Sequence, residues 1–520
     1  MPLRIACVGA GPGGLLLATL VKRARPDADV VVFERNAPDD TFGFGVVFSD
    51  ATLAAIDAAD PVLLQALRDH GVRWDQIEVR LLGERLVCGG NGMSAVRRVT
   101  LLRLLQTSAA DAGVDLRFDT EIASRAALDD YDVVVAADGA NSVLRRGAEQ
   151  HFGPTVDTAT AKFIWFGTSY VFDGLTFVHE KGPHGVFAAH AYPIGDGVST
   201  FIVETDEHTW RRAGLDAFDT AQPPGPSDET SRAYLEQLFA EQVGGAPLLV
   251  NNSRWGNFRT LRTKRWHDGR VVLVGDAAHT AHFSVGSGTK MAMEDSVALA
   301  SALVASPDDV PAALDRYEDE RRPSVEKIQG AARPSLSWWE HFGRAYDTME
   351  PPQFAFHFFS RSISRGRLER RDPGFVATVD RWWSDAHGAD PLHTPMELGG
   401  RRLSGRRTTL RDGRLEAGDG TIPVVQPGAE AAGAVLHLQA PEDERGLPAT
   451  SRLMHAGVDA GAVAVAVAGG TPLTRSLLAE QARLECGLPA VVVAAMDDDA
   501  ATTLILSGRA DVVAEPGSTR

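Results

Sequence analysis

Leu3–Val8 (LRIACV) is a short, mostly apolar run that stops at a glycine-rich turn. Helix formers follow over Gly14–Val21, and a second apolar run, Asp29–Phe33 (DVVVF), comes next. Strand, turn, helix and strand within ~35 residues predict a β-α-β unit. Two more runs of this kind, Tyr131–Ala137 (YDVVVAA) and Arg270–Val274 (RVVLV), end in Asp138-Gly139 and Gly275-Asp276. Strands that are apolar throughout suit the centre of a parallel sheet covered on both faces. Lys162–Thr205 has a different pattern. FIWFGTSYVFDGLTFVHE, GVFAAHAYPI and GVSTFIVET set aromatics at alternate positions, which predicts longer antiparallel strands in an inserted sheet. From Pro311 to Trp383 the chain reads as helical. Around Asp385–Pro395 the composition shifts to Ala, Gly and Val with hardly any aromatics, which predicts a domain boundary.

Composition narrows the function classes. The 520 residues carry a formal charge of −17, which argues against nucleic acid as main partner, because neutralising phosphates needs a basic face. Three cysteines without a C-x-x-C exclude a disulfide scaffold and a cysteine-held zinc or iron–sulfur site, and fit a reducing compartment. No apolar run approaches the ~18–20 residues of a membrane span; the longest candidate, Gly461–Gly470, is an Ala/Val alternation of strand length. With a strand pattern beginning at Leu3 there is no room for a signal peptide. The expectation is a cytoplasmic globular protein with no membrane partner.

Gly9, Gly11 and Gly14 fit G-x-G-x-x-G between a strand and a helix, and Glu34, followed by Arg35, lies 20 residues past Gly14. The first glycine permits the tight turn, the second lets the backbone approach a pyrophosphate, and the third lets helix and strand pack closely. A carboxylate at Glu34 would accept ribose hydroxyls. The turn thus points to a dinucleotide, and by itself leaves FAD and NAD open. Asp138, Gly139, Ser142 and Arg145 fit D-G-x-x-S-x-x-R, and Gly275-Asp276-Ala277-Ala278-His279 fits G-D-A-A-H. Three strand-end motifs in this order resemble the single-component flavoprotein aromatic hydroxylases of the para-hydroxybenzoate hydroxylase type. The resemblance implies FAD as cofactor, with NADH or NADPH as co-substrate. It makes Asp276 the ligand of the ribityl chain, with Gly275 and His279 beside it, and gives the Asp138–Arg145 segment contacts to both nucleotides. It also matches Arg98, before the helix expected over Leu101–Ala112, to an arginine that contacts FAD; a solvated arginine is the other reading.

The segment His279–Lys290 leads into a helix whose apolar stripe is expected at Met293, Val297, Ala300 and Val304. Its turn, with Gly286, Gly288 and Thr289, would set backbone N–H groups where a reduced flavin carries negative charge. His279 and His282 are three apart, but no third ligand completes a metal site, so no metal is expected. His282 reads as an acid/base or hydrogen-bond donor of the pocket, with Phe283 beside it, or as a structural histidine. Phe44, Val46, Val47, Trp165, His190 and Tyr192 are the other pocket candidates, with core packing as the competing reading.

Long stretches resemble a narrower branch, the salicylyl-CoA 5-hydroxylases and the monooxygenase half of 2-aminobenzoyl-CoA monooxygenase/reductase. PDDTFGFGVVFSD (Pro38–Asp50), FIWFGT (Phe163–Thr168), TFIVET (Thr200–Thr205), GDAAHTAHFSVGSGTKMAMEDSVALA (Gly275–Ala300) and YEDERRPSVEKIQGAARPSLSWWE (Tyr317–Glu340) carry it across roughly the first 385 residues. The implied substrate is a salicyl- or anthranilyl-type acid held as a thioester on coenzyme A or a carrier protein. The implied reaction uses NAD(P)H and O2 and runs through a flavin C4a-hydroperoxide. PLHTPMELGGRRLSGRR (Pro391–Arg407) and Gly469–Pro516 resemble the opening and closing segments of old yellow enzyme-type flavin barrels. A full barrel takes roughly 250 residues, so the tail is expected to be a shortened remnant with exposed sheet edges, no second flavin and a structural role, such as supporting a homodimer.

The expected fold is therefore α/β. A Rossmann-type FAD-binding domain spans residues 1–160, with an excursion near 70–95, and 266–385 with its helical segment. An antiparallel substrate-binding sheet spans 161–265, and a small α/β remnant of a flavin barrel spans 386–520. Hydroxylation of a free aromatic acid, halogenation, and FAD binding without catalysis are the alternatives; no W-x-W-x-I-P of a halogenase is present.

Overall fold

Arg4–Val8, Asp29–Phe33 and Val133–Ala136 are neighbours in one parallel sheet, with Val271–Leu273 and Asp115–Arg117 at its flanks and His267–Asp268 added antiparallel. This is the computed structural model of the chain, and it describes residues 2–41, 43–50, 53, 58–219, 225–282 and 288–517. The central strands are buried on both faces, which is why they read as continuous apolar runs. Helix Pro12–Ala24 starts two residues earlier than its apolar pattern, because Pro12 is pre-set for the first helical turn. Helix Arg98–Ala112 likewise begins at Arg98 itself, with Gly113 closing it in the left-handed region.

The second sheet of this unit runs in the order Leu248–Leu249, Thr155–Thr168, Val198–Thr205, Gly185–Gly195, Leu175–Gly182 and Ile77–Leu81, with Gly256–Arg262 also pairing along Thr155–Thr168. Its long central strands are antiparallel. Alternation divides the residues cleanly between the two faces. Ile164, Phe166, Val178, Phe187, Ala189, Ala191, Phe201 and Val203 form one apolar core with Leu235 and Phe239. Trp165, Phe177, His190, Tyr192, Thr200, Ile202 and Glu204 belong to the other face. Residues 1–80 and 91–340 make up this first compact unit.

The second unit comprises residues 81–90 and 341–520, and its helices Pro351–Phe359, Arg365–Arg371 and Pro373–His387 confirm the helical reading to Trp383. Its tail differs from expectation in one respect. The middle strand–helix repeats are missing, but no sheet edge is left open. Seven strands, from Arg407–Arg411 to Val512–Pro516, close into a barrel. Closure works because the antiparallel meander Arg407–Arg411, Arg414–Ala417 and Gly420–Val425 replaces the missing units. Hairpin links need two residues where a parallel crossover needs a dozen or more. Asp412 and Gly413 supply the first such turn at φ +50° and +68°. The remaining links are parallel, including the closing pair of Arg407–Arg411 with Val512–Pro516. Hairpin residues Leu398 and Leu403 join Val435, Ala464, Ala466, Val491 and Val512 in the barrel's apolar core. Among the described residues no helix is long and apolar enough to cross a membrane.

Candidate functional site

The glycine turn is shaped by close approach. Gly9 sits at φ +107°, and a Cβ there would lie 2.3 Å from the Ala137 carbonyl oxygen. A Cβ on Gly14 would lie 2.2 Å from the Gly9 carbonyl oxygen, so only glycine lets the helix pack this close to the strand. At Gly11 a Cβ would meet nothing within 4 Å. Gly11 heads helix Pro12–Ala24 without a side-chain cap, leaving N–H groups directed at open space, the arrangement that receives a phosphate. Glu34 holds the turn from the next strand: its carboxylate accepts from the Ala10 N–H at 2.9 Å and from the Asn36 N–H at 2.9 Å. Arg35 is exposed.

The other two motif-bearing strand ends face each other across Arg145. Asp138 Oδ2 accepts from the Val143 N–H at 2.7 Å, while its Oδ1 is buried with no partner among the described residues. Gly139 adopts φ +78° and has open space before it. Ser142 caps a short helix by accepting from the Arg145 N–H, and the Arg145 guanidinium donates to the carbonyls of Ala277 and Ala140. Ser142 and Arg145 thus stitch the two strand ends together with their own polar atoms. Asp276 is exposed, yet enough protein surrounds it that desolvation raises its carboxyl above the usual range, against the pull of His279 and Arg98. Arg98 is half-buried and its guanidinium is lowered by desolvation, with the charge of Asp276 and the hydroxyl of Tyr192 acting in the other direction. Arg98 therefore lies in the field of the carboxylate that was matched to the ribityl chain.

A buried network that sequence reasoning missed stands behind this turn. His279 Nε2 lies 2.8 Å from Asp295 Oδ2, the Gly275 N–H donates to the same oxygen at 3.0 Å, and Arg321 Nε donates to Asp295 Oδ1 at 2.9 Å. Burial pushes the Asp295 carboxyl up, but His279 and Arg321 outweigh it and hold it below the usual range. A carboxylate pair, Glu294-Asp295, inside an Ala- and Met-rich helix was the available signal. That helix, Gly288–Ala305, is buried at Met293 and Ala300 as expected, but Val297 and Val304 are half-buried, and Met291, Asp295, Ala298, Leu299 and Ala302 take up its inner sides. Gly288 and Thr289 form its half-buried start. Phe283 and Gly286 lie outside the described residues.

The polar face of the antiparallel sheet collects most of the remaining candidates. Trp165 and His190 both sit opposite Ile202, and Tyr192 sits opposite Thr200. Trp165 Nε1 donates to Thr200 Oγ1 at 2.6 Å, and its ring covers Gly43, where a Cβ would lie 3.1 Å away. Phe44 packs on Gly167, and Asn251 Nδ2 donates to the Gly43 carbonyl at 2.8 Å, fixing this loop to the sheet. Val47 packs with Phe44, Trp74 and Tyr192, whereas Val46, on the opposite face of its strand, enters the core of the nucleotide-binding sheet. Tyr192 is buried, and desolvation raises its hydroxyl well above the usual value. Glu204, which sequence reasoning passed over, is 1% exposed and lies between two imidazoles: His190 Nε2 at 3.3 Å and His282 Nε2 at 3.8 Å. Phe177 and Trp339 flank His190, and Phe258 flanks His282. His279 and His282 thus turn to different acids, and among the described residues no group of three or more potential ligands could hold a metal ion.

The residues fit FAD. Open space before Gly11 and Gly139, the uncapped helix start, the partnerless Asp138 oxygen and the exposed carboxylate of Asp276 together suit a pyrophosphate and a polyhydroxyl chain. Arg365, by contrast, within the arginine-rich Arg361–Arg371 stretch, pairs with Asp380 and Glu369.

A family profile described as FAD binding domain matches residues 3–332. The salicyloyl-CoA 5-hydroxylase of a Streptomyces species is 61% identical over 513 residues, covering 98% of this chain and 99% of that protein. The 3-hydroxy-4-methyl-anthranilyl-[aryl-carrier protein] 5-monooxygenase of Streptosporangium sibiricum is 39% identical over 337 residues, covering 65% of this chain and 89% of its own. Among solved structures, p-nitrophenol 4-monooxygenase from Pseudomonas putida DLL-E4 superposes with a TM-score of 0.54 at 18% identity, covering 74% of this chain and 98% of that one, and shows the shared fold.

Proposed function

The chain belongs to the FAD-dependent aromatic hydroxylases of the FAD-binding-domain family, and from that premise we propose that it hydroxylates the ring of a salicyl- or anthranilyl-type acid held as a thioester. The 61% identity to a salicyloyl-CoA 5-hydroxylase across 98% of the chain carries this reading. Coenzyme A is the favoured carrier; the anthranilyl relative works on a carrier protein. FAD, when bound, would supply the redox chemistry that couples NAD(P)H oxidation to insertion of one oxygen atom of O2 into the ring.

The chain's own residues bind, orient and exclude water. Gly9, Gly11 and Gly14 bring the start of helix Pro12–Ala24 to the pyrophosphate, and Glu34 holds that turn and faces the ribose. Asp276 accepts hydroxyls of the ribityl chain, with Arg98 balancing its charge. The start of helix Gly288–Ala305 offers N–H dipoles to negative charge on the reduced ring system. Trp165, Phe177 and Tyr192 wall the aromatic pocket, and the apolar face behind them keeps the sheet rigid. An ortho or para hydroxyl or amino group makes the ring electron-rich enough for attack, which is why the salicyl and anthranilyl cores suit. The enzyme would act in the cytoplasm, where coenzyme A thioesters and NAD(P)H are both at hand.

The test compares salicyloyl-CoA with free salicylate on the holoenzyme, following NADH oxidation and hydroxylated product together. Strong, product-coupled stimulation by the thioester and weak stimulation by the acid are expected. Equal turnover of the two would overturn the thioester reading, and halide-dependent product would replace hydroxylation with halogenation.

A further inference from the structure

The bridge His190–Glu204–His282 is built into two strands and a loop, and it takes a carboxylate on the aromatic sheet face almost fully out of water. A buried carboxylate is costly unless charge or hydrogen bonds compensate it. The two imidazoles stand at unequal distances. His190, on the rigid strand beside Glu204, is the nearer at 3.3 Å, and His282, on the loop that follows the Gly275–His279 turn, is the farther at 3.8 Å. The register makes the nearer contact a diagonal pair, since His190 faces Ile202 and Glu204 faces Ala188.

We propose that Glu204 is a positioning residue that makes His282 the acceptor for the ring-hydroxyl proton of the bound substrate. This rests on the aromatic-thioester reading given above. His190 is the nearer partner of Glu204, and His282, the farther, is the imidazole that takes up the substrate proton. In the step, the O–H bond of the ring hydroxyl breaks, its electron pair stays on oxygen, and the proton forms an N–H bond on His282. No electrons are exchanged with another group. The carboxylate of Glu204 stabilises the imidazolium that forms. The ring left behind is richer in electrons, as the incoming oxygen requires. Among the described residues this face also carries His179, beside Trp338, Tyr192, on which the charge of Arg98 acts, and the exposed Lys181. Tyr192 is held neutral by burial.

The bridge also explains why the substrate class carries a ring hydroxyl or amino group: a ring without one offers His282 nothing to bind. Benzoyl-CoA therefore serves as a control ligand that should bind more weakly.

The measurement is the phenolate absorption of salicyloyl-CoA bound to the oxidised holoenzyme without NAD(P)H, titrated with pH, together with its dissociation constant. In the unaltered enzyme the bound hydroxyl should ionise at lower pH than in free salicyloyl-CoA. Glu204→Gln should move that ionisation up by about one pH unit or more, a tenfold change in proton affinity, with FAD content unchanged, and Glu204→Asp should restore part of the shift. Should Glu204→Gln fail to fold, His282→Gln, which leaves the sheet intact, must show the same loss. An unshifted ionisation in the unaltered enzyme, or a shift that survives both Gln variants, overturns the role of the bridge while leaving the substrate reading in place. Failure of the unaltered enzyme to bind salicyloyl-CoA overturns the substrate reading and the proposal with it.

Discussion

In the antiparallel sheet of the first unit, alternate residues separate into a mainly apolar face, with Phe166, Phe187, Phe201 and Val203, and a face with Trp165, His190, Tyr192 and Glu204. In the closed barrel of the second unit the same alternation serves packing on both sides. Val435, Ala464, Ala466, Val491 and Val512 fill the inside, while Leu436, Leu438, Val465, Val467 and Val492 lie in a second apolar core with Met454 and Leu478 of the helices. Barrel strand Ala490–Val493 is buried at every position and Ala464–Ala468 at all but its last, with half-buried His437 the polar residue opposite Ala466, whereas the sheet gathers several polar groups on one side. We therefore propose that chemistry belongs to the first unit and scaffolding to the second, because strands buried on both faces leave few positions to present a reacting group.

The sharpest way to break this contrast is to put a charge into each sheet. Val491→Asp inserts a carboxylate into the barrel interior, where Val491 is fully buried with Ala466 and Val512 as its cross-strand neighbours. With only apolar cross-strand neighbours to meet the charge, the cost should be about 3–5 kcal/mol, enough to unfold the second unit. Thermal melting and soluble yield would report it. A barrel that accepts the aspartate without a lowered melting temperature would contain polar capacity that the contrast denies it.

The Asp295 network is the counterpart in the first unit, a buried charge that is fully answered. Asp295→Ala leaves Arg321 and His279 facing an empty site, so a loss of about 3–5 kcal/mol is expected. The sign of the pH dependence follows from the lowered Asp295 carboxyl. Its stabilisation is complete above the unfolded value, about pH 4, and is lost as pH falls through the lower folded value. The variant should therefore show a shallower loss of stability on acidification than the unaltered chain. An identical acid limb in both would remove Asp295 from the account.

How much of this was legible in the sequence depends on whether a feature is local. Gly9, Gly11, Gly14 and Glu34 sit within one β-α-β unit, and strand Asp29–Phe33 has the bounds its pattern predicted. The aromatic alternation of Lys162–Thr205 also predicted the antiparallel strands, on which Trp165, His190 and Tyr192 share one face. Asp295, Arg321 and Glu204 were missed because their partners are far away in the chain: Arg321 is 26 residues from Asp295, and Glu204 is met by His282 from a different element. Alternation did contain the second signal, since Glu204 shares the parity of Thr200 and Ile202 rather than of Phe201 and Val203. Barrel closure was illegible for another reason. Counting residues against strand–helix repeats assumes parallel crossovers, and the turns at Asp412-Gly413 and around Asp419 avoid them.

Asp276 sharpens the comparison at the cofactor. Asp276→Ala should weaken FAD binding ten- to hundredfold, about 1.5–3 kcal/mol for a lost charge-assisted hydrogen bond. The fold itself should not suffer. A carboxyl raised above its unfolded value binds protons more readily in the folded state, so at neutral pH Asp276 opposes folding, and that opposition fades as pH falls. Asp276→Asn should thus leave the FAD-free chain melting no lower than before. Flavin content also tests the second unit: one FAD per chain is expected, all of it sensitive to Asp276, and a second flavin that survives the substitution would make the barrel a working site.

Gly11→Ala should have the smallest effect on the fold and the clearest meaning. Gly11 has an ordinary extended backbone at φ −73°, and a Cβ there meets no protein atom within 4 Å, so the FAD-free chain should lose only a few tenths of a kcal/mol. Gly14→Ala is the contrasting substitution, because its Cβ would meet the Gly9 carbonyl oxygen at 2.2 Å and the helix would have to move. If Gly11 is open because a pyrophosphate belongs there, the added methyl group obstructs the ligand and not the protein. FAD affinity should then fall in Gly11→Ala while the melting temperature of the FAD-free chain stays put, and both should fall in Gly14→Ala. Calorimetric titration of FAD beside melting of the FAD-free proteins separates the two. Unchanged affinity in Gly11→Ala would mean that the space before the turn is merely empty, and the pyrophosphate would have to be sought elsewhere.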